Sequence, residues 1–569
     1  MLKCFYATGI VGLSKRKYDF HLIKSITAET RQNNLLKAKG GSIMSLINVK
    51  GLTFSYEGSY ENIFENTSFQ IDTDWKLGFI GRNGRGKTTF LNLLMGRYPY
   101  QGEISSSVDF TYFPFPVYNE ERETLTVIRE SIGPFEEMQR KMEALIEKGT
   151  EEALYEYGEV LEKFNLMDGY IIDEKIQKEA SMLGLTEDIL NRPFNTLSNG
   201  ERTKALLSGL FLRKDNFLLI DEPTDHLDLE GRHQVSDYLS RKKGFIVVSH
   251  DRAFLDKIID HVLVINKNNI EVQKGNYSSW QFNKDRQDSF ELEQNMKLKK
   301  EISRLTESAR QKAQWSDKLE ASKIGSHVYD RGAVGAQAAR IMKKSKNAER
   351  RANDALEEKK ALLKNIEKQG KLKIQSKDYH KDLYIEIKSL SAGYGDKEVF
   401  ENVHMQLFKG DRLLVKGKNG KGKSTLIGLI SGRGKAVITQ GELYVPPGLT
   451  ISYVSQNADY LKGSMKEFIL EEELDEVLFK SILRNLGFPR ESFEKNIEEL
   501  SSGQRKKLLI ARSLSGKAHI YIWDEPLNYV DIISRIQIEE LILSYRPTMI
   551  FIEHDEMFGE KIATKVLEL

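Results

Sequence analysis

Two stretches, Gly81-Arg82-Asn83-Gly84-Arg85-Gly86-Lys87-Thr88 and Gly417-Lys418-Asn419-Gly420-Lys421-Gly422-Lys423-Ser424, decide how this chain is read. Both fit the G-x-x-x-x-G-K-[ST] pattern, whose glycines let backbone N–H groups converge on phosphate oxygens at a helix N-terminus. Each follows an apolar run (Trp75-Lys76-Leu77-Gly78-Phe79-Ile80; Leu413-Leu414-Val415) and leads into a helical pattern (Phe90-Leu91-Asn92-Leu93-Leu94; Leu426-Ile427-Gly428-Leu429-Ile430). The strand–loop–helix context implies two nucleoside-triphosphate sites. Lys87 and Lys423 are placed to reach β/γ-phosphates, Thr88 and Ser424 to ligate magnesium, and Thr89 and Thr425 to line the same loops.

Working outward from the loops exposes a duplicated domain. Before each lies a strand-like segment ending in an aromatic, Leu52-Thr53-Phe54-Ser55-Tyr56 and Leu390-Ser391-Ala392-Gly393-Tyr394. Tyr56 and Tyr394 are candidates to stack on a base, with core packing as the rival role. After each comes Leu197-Ser198-Asn199-Gly200-Glu201 or Leu500-Ser501-Ser502-Gly503-Gln504, opening a helix. An apolar strand then ends in carboxylates, at Asp221-Glu222-Pro223 and Asp524-Glu525-Pro526, and another in His250 and His554. Such continuous apolar runs suit strands buried on both faces of a parallel sheet.

Composition bounds the partners. The chain has 569 residues, so two to four domains are expected. A net charge of +2 leaves any basic surface to be local, and a single cysteine, Cys4, excludes a disulfide framework or a cysteine-rich zinc site. No stretch approaches the ~20 apolar residues of a membrane span. Residues 1–43 match neither repeat. Lys39-Gly40-Gly41 can be back-translated as a bacterial ribosome-binding sequence ahead of Met44, so this segment is either translated leader before the true start or a flexible extension.

The order of motifs resembles the ATP-binding cassette (ABC) superfamily, with its Walker A, signature, Walker B, D-loop and switch-histidine elements present twice between Met44 and Leu569. The resemblance implies an α/β fold of two tandem P-loop ATPase domains that bind ATP and Mg2+ and hydrolyse ATP to ADP and phosphate. Asp221 and Asp524 would hold the metal; Glu222 and Glu525 would activate water; His250 and His554 would contact the γ-phosphate. It further implies that Ser198 and Gly200 cap the nucleotide at Lys423, and Ser501 and Gly503 that at Lys87, with D-loop residues Asp228 and Asp531 between. Gln456 matches a metal-ligating glutamine for which the first repeat has Phe115. Asn199 stands for a signature glycine and Leu527 for a threonine, so unequal sites are expected.

Fusion of both cassettes in one chain resembles the ABC-F class. The stretch from Phe115 to the first signature is nearly twice its counterpart from Gln456, and the surplus, about 133–170, resembles the small arm of that class. Between the cassettes, two charged helix patterns flank a tip at 322–335, with Leu298, Ile302 and Leu305 facing Ala355, Leu356, Leu362 and Leu363 as a hairpin seam. Lys323, Arg331, Arg340, Lys343, Lys344, Lys346, Arg350 and Arg351 stand there against only Asp330 and Glu349. A basic helix is usually a solvated face, but near a projecting tip it suits RNA phosphates.

The expected domains are 1–43, a first cassette at 44–281, a linker at 282–380 and a second cassette at 381–569. The Trp75–Lys87 string, the Gly332–Arg340 tip and Tyr521–Tyr529 resemble the Lsa/Vga-type antibiotic-resistance branch. That implies a cytoplasmic monomer with paired cassettes on the bacterial ribosome. It would sit at the exit site, against large-subunit rRNA and P-site tRNA, and displace lincosamides, streptogramin A and pleuromutilins. A housekeeping ABC-F translation factor, the ATPase subunit of a drug exporter and a DNA-repair ATPase are the rival readings.

Overall fold

The computed structural model describes residues 46–58, 62–214, 216–266, 269–321, 372–395 and 397–569, with isolated positions between 336 and 354. The leader, the tip at 322–335 with Lys323 and Arg331, the side chains of Leu298, Ile302 and Leu305, and residues Ala355, Leu356, Leu362 and Leu363 lie outside the described residues.

Each half is built on a twisted parallel sheet. In the first the strands run in the order Asp109–Phe113, Asn216–Asp221, Phe245–Val248, Lys76–Ile80, His261–Ile265, with Ile270–Lys274 antiparallel at the edge. In the second the order is Ile451–Val454, Ile520–Asp524, Met549–Ile552, Arg412–Lys416, Lys565–Glu568, all parallel. An antiparallel three-stranded sheet packs beside each, Phe64–Asp72, Leu46–Phe54, Gln101–Ser105 and its counterpart Lys397–Phe408, Leu383–Tyr394, Val437–Tyr444.

The apolar runs read as doubly buried strands are so. Phe217 and Leu219 face the core shared with the antiparallel sheet and the phosphate-loop helix Lys87–Leu94, whereas Leu218 and Ile220 face the core of the helical side. Alternate side chains of one strand therefore fill two cores, and every one is apolar. The strands end together at one edge, so the two loops, the carboxylates of Asp221 and Asp524 and the histidines line up there, as expected for ligands at the carboxyl ends of a parallel sheet.

Between the phosphate loop and signature of the first half, helices Phe135–Lys148 and Glu151–Leu166 form a hairpin that buries Phe135, Met138, Met142, Leu145 and Phe164. A helix of 45 residues, Tyr277–Ala321, leaves the first half, anchored by buried Tyr277 and Trp280. Arg340, Lys343, Lys344, Lys346, Arg350 and Arg351 are helical and exposed.

Candidate functional site

The phosphate loops are shaped by backbone that only glycine tolerates well. Gly86 and Gly422, each preceding its lysine, have φ of 96° and 88°. A Cβ there would lie 2.5 Å from Ile63 and 2.6 Å from Val399, respectively. Lys87 Nζ donates to the carbonyls of Gly81 (2.6 Å) and Arg82 (3.3 Å) and to Asn83 Oδ1 (3.3 Å). Lys423 Nζ donates to the carbonyls of Gly417 (2.7 Å) and Lys418 (3.1 Å). Both ammonium groups are buried, and burial lowers both pKa values.

The two loops meet opposite halves. A cavity of about 1050 Å³ is lined on one wall by Asn419, Gly420, Gly422, Lys423, Ser424, Thr425, Gln456, Glu525 and His554, with Tyr394 at its side. Its other wall comes from the first half: Ser198, Asn199 and Gly200. Ser198 caps its helix in a box with Glu201, so the helix N-terminus points at this cavity.

At the other loop the halves are in contact. Asn83 Nδ2 donates to the Tyr529 carbonyl at 2.7 Å. Gly503 lies so close that a Cβ would sit 2.5 Å from that same carbonyl oxygen and 3.1 Å from Asn83 Nδ2. Ser501 caps the neighbouring helix in a box with Gln504. Tyr56 donates to, or accepts from, Thr89 Oγ1 at 2.7 Å while its ring packs edge-on against Phe54 and Tyr98. Gly84 also has a positive φ, 78°.

The strand-end carboxylates suit a divalent cation. Asp221 Oδ2 accepts from Thr88 Oγ1 (3.1 Å) and from the Tyr112 hydroxyl (2.9 Å). Asp524 accepts from Ser424, and its Oδ1 is buried without a hydrogen-bond partner. Burial raises the Asp524 pKa to about 6. A buried orphan oxygen beside a hydroxyl is what a hard, oxygen-seeking ion would satisfy. Thr88 with Asp221, and Ser424 with Asp524 and Gln456, would hold Mg2+, which when bound neutralises charge on the phosphates.

The two strand-end glutamates share a strained backbone, φ of 48° at Glu222 and 45° at Glu525, but differ in ionisation. Burial, then the carboxylates of Asp225 and Asp221, push Glu222 well above its ordinary range. Burial also opposes charge on Glu525, yet hydrogen bonds from His554, Gln456 and Asn528 hold its pKa at about 2. His554 Nε2 lies 3.4 Å from Glu525 Oε1, and Asn528 Nδ2 donates to Oε2 at 2.7 Å. His250 Nε2 lies 3.3 Å from Glu222 Oε1; burial and Lys87 keep this imidazole neutral. An ionised carboxylate facing the cavity can accept a proton from water; a protonated one cannot.

Sequence reading missed the residues that make this difference. Asp225 and Asn528 occupy the same offset after the two Asp-Glu-Pro segments and were legible as a mismatch, but their contact with the glutamate was not. Tyr112 was also missed. Phe115, in the place of Gln456, packs edge-on against Phe113 and beneath Arg213, so it offers no oxygen to a metal.

Known proteins bear on this geometry. The family model described as "ABC transporter" matches residues 64–225 and 400–528, just over half of the chain. An Arabidopsis thaliana protein named "ABC transporter F family member 2" is 28% identical over 559 residues, 93% of this chain and 77% of the relative. The "Ribosome protection protein VmlR" of Bacillus subtilis (strain 168) is 27% identical over 533 residues, 92% of this chain and 86% of the relative. Among solved structures, a complex of an archaeal ribosome recycling factor with a ribosomal stalk protein aligns with a TM-score of 0.57 at 16% identity, covering 91% and 87%. That last likeness is one of fold.

Proposed function

This chain belongs to the ABC transporter family, and on that premise we propose that it is an F-type member of the Lsa/Vga kind. In this reading it is an ATPase that binds the bacterial ribosome and protects the large subunit from lincosamides, streptogramin A and pleuromutilins. The observation that carries the reading is the pairing of both cassettes within one chain, from which a 45-residue helix departs. Among the described residues no helix is long and apolar enough to cross a membrane. The similarity to a ribosome protection protein along 92% of this chain supports the same partner.

In this proposal Glu525 and Glu222 activate water, His554 and His250 contact the γ-phosphate, and Ser198 and Ser501 close the sites in trans. ATP holds the halves together and hydrolysis releases them. The linker at 282–380 reaches toward P-site tRNA and rRNA, Arg340, Lys343, Lys344 and Arg351 meet phosphates, and the hairpin within 133–170 is the arm.

The test pairs Glu222→Gln with Glu525→Gln, which removes the water-activating groups and leaves the loops intact. Turnover falls by about two orders of magnitude and the protein pellets with ribosomes in ATP. Failure to pellet would defeat the ribosomal reading. Growth of a susceptible host on a lincosamide, with and without the chain, separates drug protection from a housekeeping translation role. Recovery in the membrane fraction would instead favour the ATPase subunit of an exporter.

A further inference from the structure

Lys506 lies one turn into the helix Ser502–Ser515 and is almost wholly buried, with 2% of its surface exposed. Its Nζ donates to the Ser455 carbonyl at 2.9 Å and to the Glu525 carbonyl at 3.0 Å. One carbonyl belongs to the residue before Gln456, the other to Glu525 itself. The carboxylates of Glu553, Asp524 and Glu525 offset the desolvated charge. One ammonium thus bridges three pieces of backbone: the helix of the second signature, the loop that presents Gln456, and the strand end that presents Glu525.

We propose that Lys506 is a positioning residue of the Lys423 site, holding Gln456 and Glu525 in register with the helix that carries the second signature. The inference rests on the ATPase reading and deepens it. The tie has a direction. The N-terminus of this helix, at Ser501 and Gly503, abuts Asn83 of the other phosphate loop, so closure around Lys87 is carried through Lys506 to the base of the Lys423 site. The opposite path lacks the link. At the matching place in the first signature helix stands Thr203, whose hydroxyl donates to the Asn199 carbonyl of its own helix at 3.0 Å. Phe115 stands where Gln456 does.

The experiment is steady-state ATP turnover of the full-length chain as wild type, Lys506→Met, Lys506→Gln and Lys506→Arg, with affinity for a non-hydrolysable ATP analogue measured in parallel. Although Lys506 borders the cavity, its Nζ is engaged by two backbone carbonyls. Lys506→Met and Lys506→Gln therefore lower kcat about tenfold while KM and analogue affinity stay within about twofold. Arginine can reach two carbonyls and restores kcat to within about threefold. A kcat near wild type in both neutral variants overturns the proposal, and so does a loss seen in KM or analogue affinity. If one neutral variant fails to fold, the other decides. A wild-type chain that binds the analogue without turning over ATP defeats the ATPase reading itself; normal wild-type turnover with indifferent variants defeats only the role of Lys506.

Discussion

Three positions beyond each strand-end glutamate, the halves differ by one atom pair. Asn528 offers an N–H to Glu525, at 2.7 Å, where Asp225 brings a second negative charge beside Glu222. A base must be ionised to accept a proton. Glu525 is held ionised at neutral pH, whereas burial and neighbouring carboxylates favour the protonated form of Glu222 until charge nearby changes. Replacing Asn528 by Asp converts a donor into a like charge and raises the Glu525 pKa. The acid limb of the kcat–pH profile then moves upward by about 1–2 units, and turnover at pH 7 falls. The reciprocal Asp225→Asn lets Glu222 ionise at lower pH and adds turnover near neutrality. Both outcomes are read from kcat measured between pH 5 and 9. An unmoved limb in Asn528→Asp would mean that another group sets it.

At the scale of elements, aspartates fix the helices that follow the strand ends. Asp228 and Asp531 cap Leu229–Ser240 and Ile532–Tyr545, each accepting a backbone N–H at 2.9 Å. Asp531 also holds Lys507 at 2.6 Å, fully buried, and despite the burial the ammonium keeps its carboxyl far below the ordinary aspartate range. A depressed pKa stabilises the fold above the unfolded value of about 3.9, and the gain is lost as pH falls through the folded value. Asn in this place still caps the helix but leaves the buried Lys507 ammonium without a counter-charge, held only by the Leu486 carbonyl at 2.7 Å. Asp531→Asn therefore costs about 3 kcal/mol at neutral pH. It lowers the thermal midpoint at pH 7, and the gap from wild type starts to narrow only as pH falls below about 4, toward the folded value. A constant gap would exclude the ion pair as its cause.

Elements of this kind were legible in the sequence because their signals are local. Phe217–Ile220 reads as a doubly buried strand from four adjacent residues, and Ser198 or Ser501 as a cap from its own helix. The lysine at 506 gave no such signal, because its two partners are 51 and 19 residues away and both are main-chain oxygens. The basic stripe was legible in part: Arg340, Lys344 and Arg351 are exposed on helix, as a solvated or phosphate-facing stripe requires.

The whole molecule is held by charge as well as by loops. Arg252, beside His250 in the first half, reaches Glu539 and Asp555 of the second, the latter at 3.4 Å. All three are buried. Arg535 donates to the same Asp555 at 3.1 Å and Lys561 to Glu539 at 2.9 Å, so each acid has a second cation. At the exposed rim Lys418 meets Glu230 at 2.7 Å and His233 meets Glu556 at 3.2 Å. Ile532 of the second half joins the core of the first. Arg252→Met leaves two acids short of a cation, costs about 3–5 kcal/mol of pairing, and separates calorimetric unfolding into two transitions. A single transition at the wild-type midpoint would refute that. Replacing Arg340, Lys344 and Arg351 by Ala leaves ribosome-free turnover intact but flattens the salt dependence of ribosome binding, by a slope of up to about 2.

The Arg252 cluster also constrains inheritance. Its arginine is encoded 287 codons upstream of Glu539, in the other repeat. The repeated histidine–aspartate pair is followed by Arg252 in one half and by Glu556 in the other, so the repeats have become a lock and a key rather than two copies. Copying the second repeat over the first would place a glutamate at position 252, against the buried acids Glu539 and Asp555. A chain that keeps this interface must therefore keep its two repeats different at this position.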